Sequence, residues 1–210
     1  MPNINSVGPR FPFYISGQVV KGFGRGSKQL GIPTANLESQ VVNDINLNNG
    51  IYYGFSQIQV STRPFYIVRL THQKKLLTCH RLKSYKVTVI LFQVPESEVK
   101  KNAVFSELKQ IGDQRVSPIY LMCCSLGTNP YFQNETKSLE VHILNNFGYD
   151  FYGCNLRVAI CGFIRGEKNF GSLSELIDAI NADIEFTKQQ LSNEEKWESV
   201  KNNEFFIKLV

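Results

Sequence analysis

Short apolar runs separated by polar turns dominate the hydrophobic pattern of this 210-residue chain. Alternation or a β-rich composition predicts strands, each bounded by glycine, asparagine or proline turns. We expect these strands at residues 13–20, 51–58, 119–126, 137–143 and 155–165. Several short strands joined by polar turns indicate a closed or nearly closed antiparallel barrel.

One helix is predicted after the last of these strands, at residues 172–191. Ser172 and Glu175 have the spacing of a capping box, which marks a helix N-terminus. Five apolar residues then recur at helical spacing and form one stripe. This stripe consists of Leu173, Leu176, Ile177, Ile180 and Ile184. We expect it to pack on the barrel as structure and not as a ligand site.

Composition excludes several classes of protein. The chain is 42% hydrophobic and 20% charged, so neither a disordered nor a fibrous chain is expected. No apolar stretch approaches the roughly 18 residues of a membrane helix. The first ten residues lack the apolar core of a signal peptide. Five cysteines without a regular framework predict a reduced chain. We therefore expect a cytoplasmic protein without a membrane span.

The net charge of +5 belongs to one segment of the chain. Residues 60–93 hold seven of the 23 Lys and Arg residues and none of the 18 Asp and Glu residues. The rest of the chain is slightly acidic. A nucleic-acid-binding barrel should instead spread its basic residues over one face and interleave them with aromatic residues. We therefore expect no nucleic-acid partner.

A glycine-rich loop at residues 21–31 is the first candidate for chemistry. Glycines let backbone N–H groups approach phosphate oxygens, and Arg25 and Lys28 add positive charge. The spacing matches neither a P-loop nor a dinucleotide fingerprint. By itself, the loop fits either phosphate binding or a mobile basic turn.

Two oxygen-bearing side chains follow that loop. Thr34 and Asn36 are two residues apart, so in extended chain they point the same way. A hydroxyl and an amide carbonyl suit Mg²⁺ bound together with nucleotide phosphates. The alternative is an ordinary turn built from asparagine and threonine.

The strand predicted at residues 137–143 alternates between polar and apolar positions. Ser138, Glu140 and His142 share one face, and the apolar face should meet the core. Glu140 could accept a proton from a substrate hydroxyl. The alternative is the solvated face of an edge strand.

Aromatic side chains near Arg165 have two possible roles. They could stack on a flat heterocyclic ligand beside the arginine, or they could pack in the core.

Taken together, these segments resemble riboflavin kinase of the monofunctional eukaryotic type. The resemblance rests on motifs that follow one another in the family's order. They read GQVVKGFGRGSKQLGIPTANL, GIYYG, GTNPYFQN, KSLEVHI, DFYG and GFIRGEKNFGSLSELIDAI. The resemblance covers most of the chain outside the middle.

The resemblance implies a fold and an activity. The fold is a closed six-stranded antiparallel β-barrel with a C-terminal α-helix packed on it, here as a single domain over residues 1–210. The activity is transfer of the ATP γ-phosphate to the riboflavin 5′-hydroxyl, giving FMN and ADP. It requires Mg²⁺ or another divalent cation such as Zn²⁺ or Mn²⁺. The partners are small molecules, and we expect a monomer.

The resemblance also implies a role for each matching residue. Glu140 is the catalytic carboxylate, and Thr34 and Asn36 hold the metal. The residues implied to bind ATP are Gly22, Lys28, Thr34, Ile143, Asn145 and Tyr152. The residues implied to bind the flavin are Arg165, Lys168 and Phe170.

Two departures from the family stand out. Thr128 occupies a position where the family usually has tryptophan. An atypical insertion is expected at about residues 60–116, inside a hairpin loop. Residues 60–93 are either a retained intron translated in frame or a genuine loop.

The alternative function is a flavin- or nucleotide-binding barrel without catalysis.

Overall fold

The computed structural model describes residues 10–22, 30–61, 66–69, 88–91, 109–111, 114–128, 136–147 and 150–208. The strands in these ranges are β1 Phe13–Val20, β2 Ala35–Leu37, β3 Gly50–Ser61, β4 Tyr66–Arg69, β5 Thr88–Leu91, β6 Lys109–Ile111, β7 Gln114–Val116, β8 Tyr120–Thr128, β9 Lys137–Ile143 and β10 Asn155–Arg165. The helices are α1 Ser39–Val42, α2 Leu173–Gln190, α3 Glu194–Lys201 and α4 Glu204–Ile207.

Six of the strands close into a barrel. The order around it is β10, β1, β2, β9, β8 and β3, and β3 pairs back onto β10. Every one of these pairings is antiparallel. Because the barrel is closed, each of the six strands is paired with a neighbouring strand on both of its sides. The predicted six-stranded antiparallel barrel is therefore confirmed.

Strand β3 is buried on both of its faces. Tyr52 and Ile58 belong to the cluster that fills the barrel. Tyr53 and Phe55 belong to a second cluster outside it, which Trp197 of α3 covers. The first part of β3, residues 51–55, therefore reads as a continuous apolar run, whereas the second part buries the polar residues Ser56, Gln57 and Gln59.

Helix α2 begins where the sequence predicts. The Ser172 hydroxyl accepts a hydrogen bond from the Glu175 backbone N–H at 3.2 Å, as an N-cap should. The expectation that the whole apolar stripe packs on the barrel is wrong for Leu173, which is 59% exposed. The buried positions of the helix are the polar residues Asp183 and Thr187. The expectation that the stripe lines no ligand site is also wrong in part, because Leu176 and Ile180 line one cavity beside the barrel and Ile184 lines another.

The hairpin between β3 and β8 is longer than the sequence indicates. Gln59, Val60 and Ser61 at the end of β3 pair with β7, and β6 pairs with β7 in turn. Val116 is buried. Most of residues 60–116 lie outside the described residues, so the insertion stays a prediction.

Across the described part of the chain, no helix has the length and apolarity that crossing a membrane requires.

Candidate active site

Three of the residues predicted to carry chemistry lie in one row around the barrel wall. Consecutive strand pairings align Asn36 of β2 with Glu140 of β9, and Glu140 with Ser125 of β8. The row continues to Ile51 of β3 and then to Arg165 of β10. Neighbouring strands are about 4.8 Å apart, and the row follows the curved wall of the barrel over five of its six strands. The barrel thus brings together residues that are far apart in the chain.

Glu140 faces outward from the barrel. Its neighbours Leu139 and Val141 are fully buried in the interior cluster, so alternation sends Glu140 to the other face. The Thr34 hydroxyl donates a hydrogen bond to Glu140 Oε2 at 3.3 Å. A carboxylate, a hydroxyl and the paired Asn36 therefore form one polar cluster on the outer surface.

Gly22 lies directly against this cluster. A Cβ atom at Gly22 would collide with the Asn36 side-chain amide. The chain after β1 can approach Asn36 this closely only because position 22 carries no side chain. Lys28, the other residue of this loop implied to bind ATP, lies outside the described residues.

Two cavities open beside the cluster. The larger has a volume of about 670 Å³ and the smaller of about 280 Å³. Thr34 and His142 line both cavities, whereas Glu140 lines the smaller one. A ligand in each cavity would therefore meet the other beside Thr34.

The predicted ligand residues divide between these cavities. Four of the residues implied to bind ATP line the larger cavity, namely Thr34, Ile143, Asn145 and Tyr152. All three residues implied to bind the flavin line the smaller cavity, namely Arg165, Lys168 and Phe170. The two sets thus line different cavities except for Thr34, which lines both.

Arg165 is held by a residue that the sequence analysis did not identify. Its Nε and Nη2 atoms donate to the two carboxylate oxygens of Asp183, at 2.9 and 2.7 Å. Its guanidinium also lies 5.8 Å from the centre of the Phe170 ring. The bidentate ion pair ties the strand end at Arg165 to helix α2. The sequence did contain a signal for this partner, because Asp183 is an acidic residue among the apolar positions of the predicted helix.

Breaking this ion pair is expected to cost stability. Asp183→Asn should lower the free energy of unfolding by about 1.5–3 kcal/mol, because the charged, largely buried guanidinium loses its charged partner. Glu185→Gln is the matched control: it removes an exposed ion pair with Lys188 and should cost less than about 1 kcal/mol. Urea unfolding measures both variants. Equal losses in the two would contradict the role given to Asp183.

Two cysteines form part of the wall of the smaller cavity. Burial raises the pKa of the Cys123 thiol to about 12, and the negative charge of Asp183 adds to the rise. Burial likewise raises the pKa of Cys124 well above its usual value. Both thiols are therefore protonated at neutral pH and act as small apolar wall groups, not as nucleophiles.

The described residues contain no cluster of three or more His, Cys, Asp or Glu side chains that could hold a metal ion. The donors that they offer are the oxygens of Thr34, Asn36 and Glu140. Hydroxyl, amide and carboxylate oxygens suit a hard cation that also binds phosphate.

Comparison with known proteins points to one family. The family model described as riboflavin kinase, or flavokinase, matches residues 9–191. The riboflavin kinase of Mus musculus is 38% identical over 197 residues, which cover 93% of this chain and 90% of the relative. That of Homo sapiens is 36% identical with the same coverage, and that of Yarrowia lipolytica is 34% identical over 86% of this chain and 82% of the relative.

A solved structure agrees in fold. The crystal structure of riboflavin kinase from Trypanosoma brucei matches with a TM-score of 0.56 at 21% identity. The match covers 97% of this chain and 94% of that one. At this identity, the likeness supports the barrel alone. The family match and the sequence relatives go further, and they show that this chain belongs to the riboflavin kinase family.

Proposed function

We propose that this chain transfers the γ-phosphate of ATP to the 5′-hydroxyl of riboflavin, giving FMN and ADP. The observation that carries the proposal is the hydrogen bond from Thr34 to Glu140 where the two cavities adjoin. Riboflavin in the smaller cavity would place its hydroxyl beside Glu140. ATP in the larger cavity would place its phosphates beside Thr34. The relatives from Mus musculus and Homo sapiens are riboflavin kinases, which supports this chemistry.

Glu140 is the proposed catalytic carboxylate. It accepts a hydrogen bond from the riboflavin 5′-hydroxyl and orients that oxygen toward the γ-phosphorus. As the new oxygen–phosphorus bond forms, the hydroxyl proton passes to Glu140, and the bond between the γ-phosphorus and the bridging oxygen breaks. ADP leaves with the electrons of that bond. The chain thus contributes mainly position and a proton acceptor.

The metal proposed for this reaction is Mg²⁺. Thr34 and Asn36 would hold it, because the Thr34 hydroxyl bonds to Glu140 and Asn36 pairs with Glu140 across the two strands. Two protein ligands are enough for a cation that also binds phosphates. When bound, a divalent cation neutralises charge on the transferring phosphoryl group.

Removing either oxygen should weaken the use of Mg-ATP. Thr34→Val and Asn36→Leu are each expected to lower kcat/KM for Mg-ATP by roughly 10–100-fold, with partial recovery at high Mg²⁺. Thr128→Val is the matched control, since its hydroxyl contacts Asn49 and lines neither cavity. Titrating Mg²⁺ in the kinase assay measures all three. Full activity of Thr34→Val and Asn36→Leu at limiting Mg²⁺ would refute the metal assignment.

The function itself is tested by incubating the purified chain with riboflavin, ATP and Mg²⁺. Chromatography then separates FMN from riboflavin. A barrel without catalysis would bind riboflavin and form no FMN.

A monomeric state and a cytoplasmic location stay predictions. Light scattering checks the first, and imaging of the tagged chain checks the second.

A further inference from the structure

His142 occupies a distinctive place that the proposed mechanism does not use. It lies two residues after Glu140 on β9, and therefore on the same outward face of the strand. It lines both cavities. Its Nδ1 atom is 2.8 Å from the carbonyl oxygen of Pro33. No ligand residue implied by the family resemblance lies at this position.

The contact lies where the backbone pairing of β2 with β9 stops. The last pair joins Ala35 to Val141, so Thr34 would stand opposite His142 if the ladder continued. Pro33 has no N–H group and cannot extend a ladder as a donor. The carbonyl of Pro33 instead receives a hydrogen bond from the His142 ring. The side chain thus continues the connection between the two strands beyond their backbone pairing.

We propose that His142 is a positioning residue for phosphoryl transfer: it anchors the Pro33 carbonyl and thereby holds the Thr34 hydroxyl on Glu140. This inference rests on the proposed function. Thr34 is the residue next to Pro33, and its hydrogen bond to Glu140 is 3.3 Å long. Loss of the His142 anchor would remove one of the contacts that hold the segment before β2 against β9. The carboxylate would then lose a neighbour that orients it.

The anchor also sets the tautomer of His142. A carbonyl oxygen only accepts, so Nδ1 must carry the proton, and in the neutral ring Nε2 then has none. Asparagine can supply an N–H group close to the position of Nδ1. Glutamine reaches instead toward the position of Nε2. These two replacements therefore separate the anchoring atom from the other ring nitrogen.

The kinetic test compares three substitutions at this position. His142→Ala should lower kcat for FMN formation by roughly 10–100-fold and leave the KM for riboflavin unchanged. His142→Asn should restore most of kcat, and His142→Gln should resemble His142→Ala. Ser138→Ala, on the same face of β9 but lining neither cavity, is the matched control and should match the unmodified chain. Thermal unfolding of each variant checks its fold.

Several outcomes would overturn the proposal. It fails if His142→Ala keeps the full kcat, or if asparagine rescues no better than glutamine. It also fails if KM for riboflavin rises in step with the loss of kcat. An unmodified chain that forms no FMN would instead refute the proposed function, so the two failures are distinguishable.

A spectroscopic measurement tests the anchor without activity. The chain has three histidines, so the His142 ring can be assigned by comparison with His142→Asn. At mildly alkaline pH, long-range ¹H–¹⁵N correlation in the substrate-free protein should show the proton of His142 on Nδ1. A proton on Nε2 would contradict the hydrogen bond to Pro33.

Discussion

Glu140→Gln is expected to lower kcat for FMN formation by roughly 10²–10⁴-fold, the usual effect of removing a positioned proton acceptor. Glutamine has almost the same shape, and its carbonyl oxygen can still accept the hydrogen bond from Thr34. The amide cannot take the proton of the riboflavin hydroxyl. The loss should therefore fall on kcat, while the KM for riboflavin and the temperature of unfolding change little. Steady-state assays with chromatographic detection of FMN measure the effect.

The control for this variant is Glu38→Gln. Glu38 is another carboxylate near the barrel: its Oε1 accepts a hydrogen bond from the backbone N–H of Gln18, and it lines neither cavity. Its substitution should leave kcat near that of the unmodified chain. If Glu140→Gln makes FMN as fast as Glu38→Gln, then Glu140 is not the proton acceptor.

Gly54→Ala is expected to prevent the barrel from closing. A Cβ atom there would overlap the carbonyl oxygen of Ala159 on β10 and lie 2.8 Å from Met122 Cε. The obstacle is backbone in the strand pair that completes the barrel, so a side-chain rotation cannot relieve it. We expect a loss of more than about 3 kcal/mol in the free energy of unfolding, above the usual range for overpacking.

Gly166→Ala provides the comparison for Gly54→Ala. A Cβ atom at Gly166 meets nothing within 4 Å, and the backbone there does not have a positive φ. Soluble yield and thermal unfolding should therefore change little for Gly166→Ala and fall sharply for Gly54→Ala. Similar behaviour of the two variants would mean that β10 can shift to accept a methyl group.

The sequence predicted those parts of the fold that have a local signal. The bounds of β1, β9 and β10 follow from their hydrophobic pattern, and the start of α2 follows from its capping residues. Strands β2 and β7 have three residues each, too few for a periodicity to show. Closure of β3 onto β10 joins positions about a hundred residues apart, and a local pattern carries no information about such pairing.

The candidate site likewise has features that the sequence predicted and features that it did not. The alternation in β9 placed Glu140 on a polar face, and the family resemblance supplied its role. The ion pair between Asp183 and Arg165 and the anchor from His142 to Pro33 were not predicted. Each depends on contacts between elements that meet only in the folded barrel. A charged residue within the apolar stripe of α2 indicated that something polar must face it, but not what.

The two ends of β3 have different consequences for how this protein can change. Ile51, near its start, belongs to the row that contains Glu140, whereas Ser61, at its end, pairs with β7. They are ten positions apart along the strand, or roughly 33 Å. Chain added or lost beyond Ser61 therefore enters the fold far from the reacting groups. Evolution can lengthen this hairpin, or an engineer can graft a reporter domain onto it, while the geometry of phosphoryl transfer stays intact.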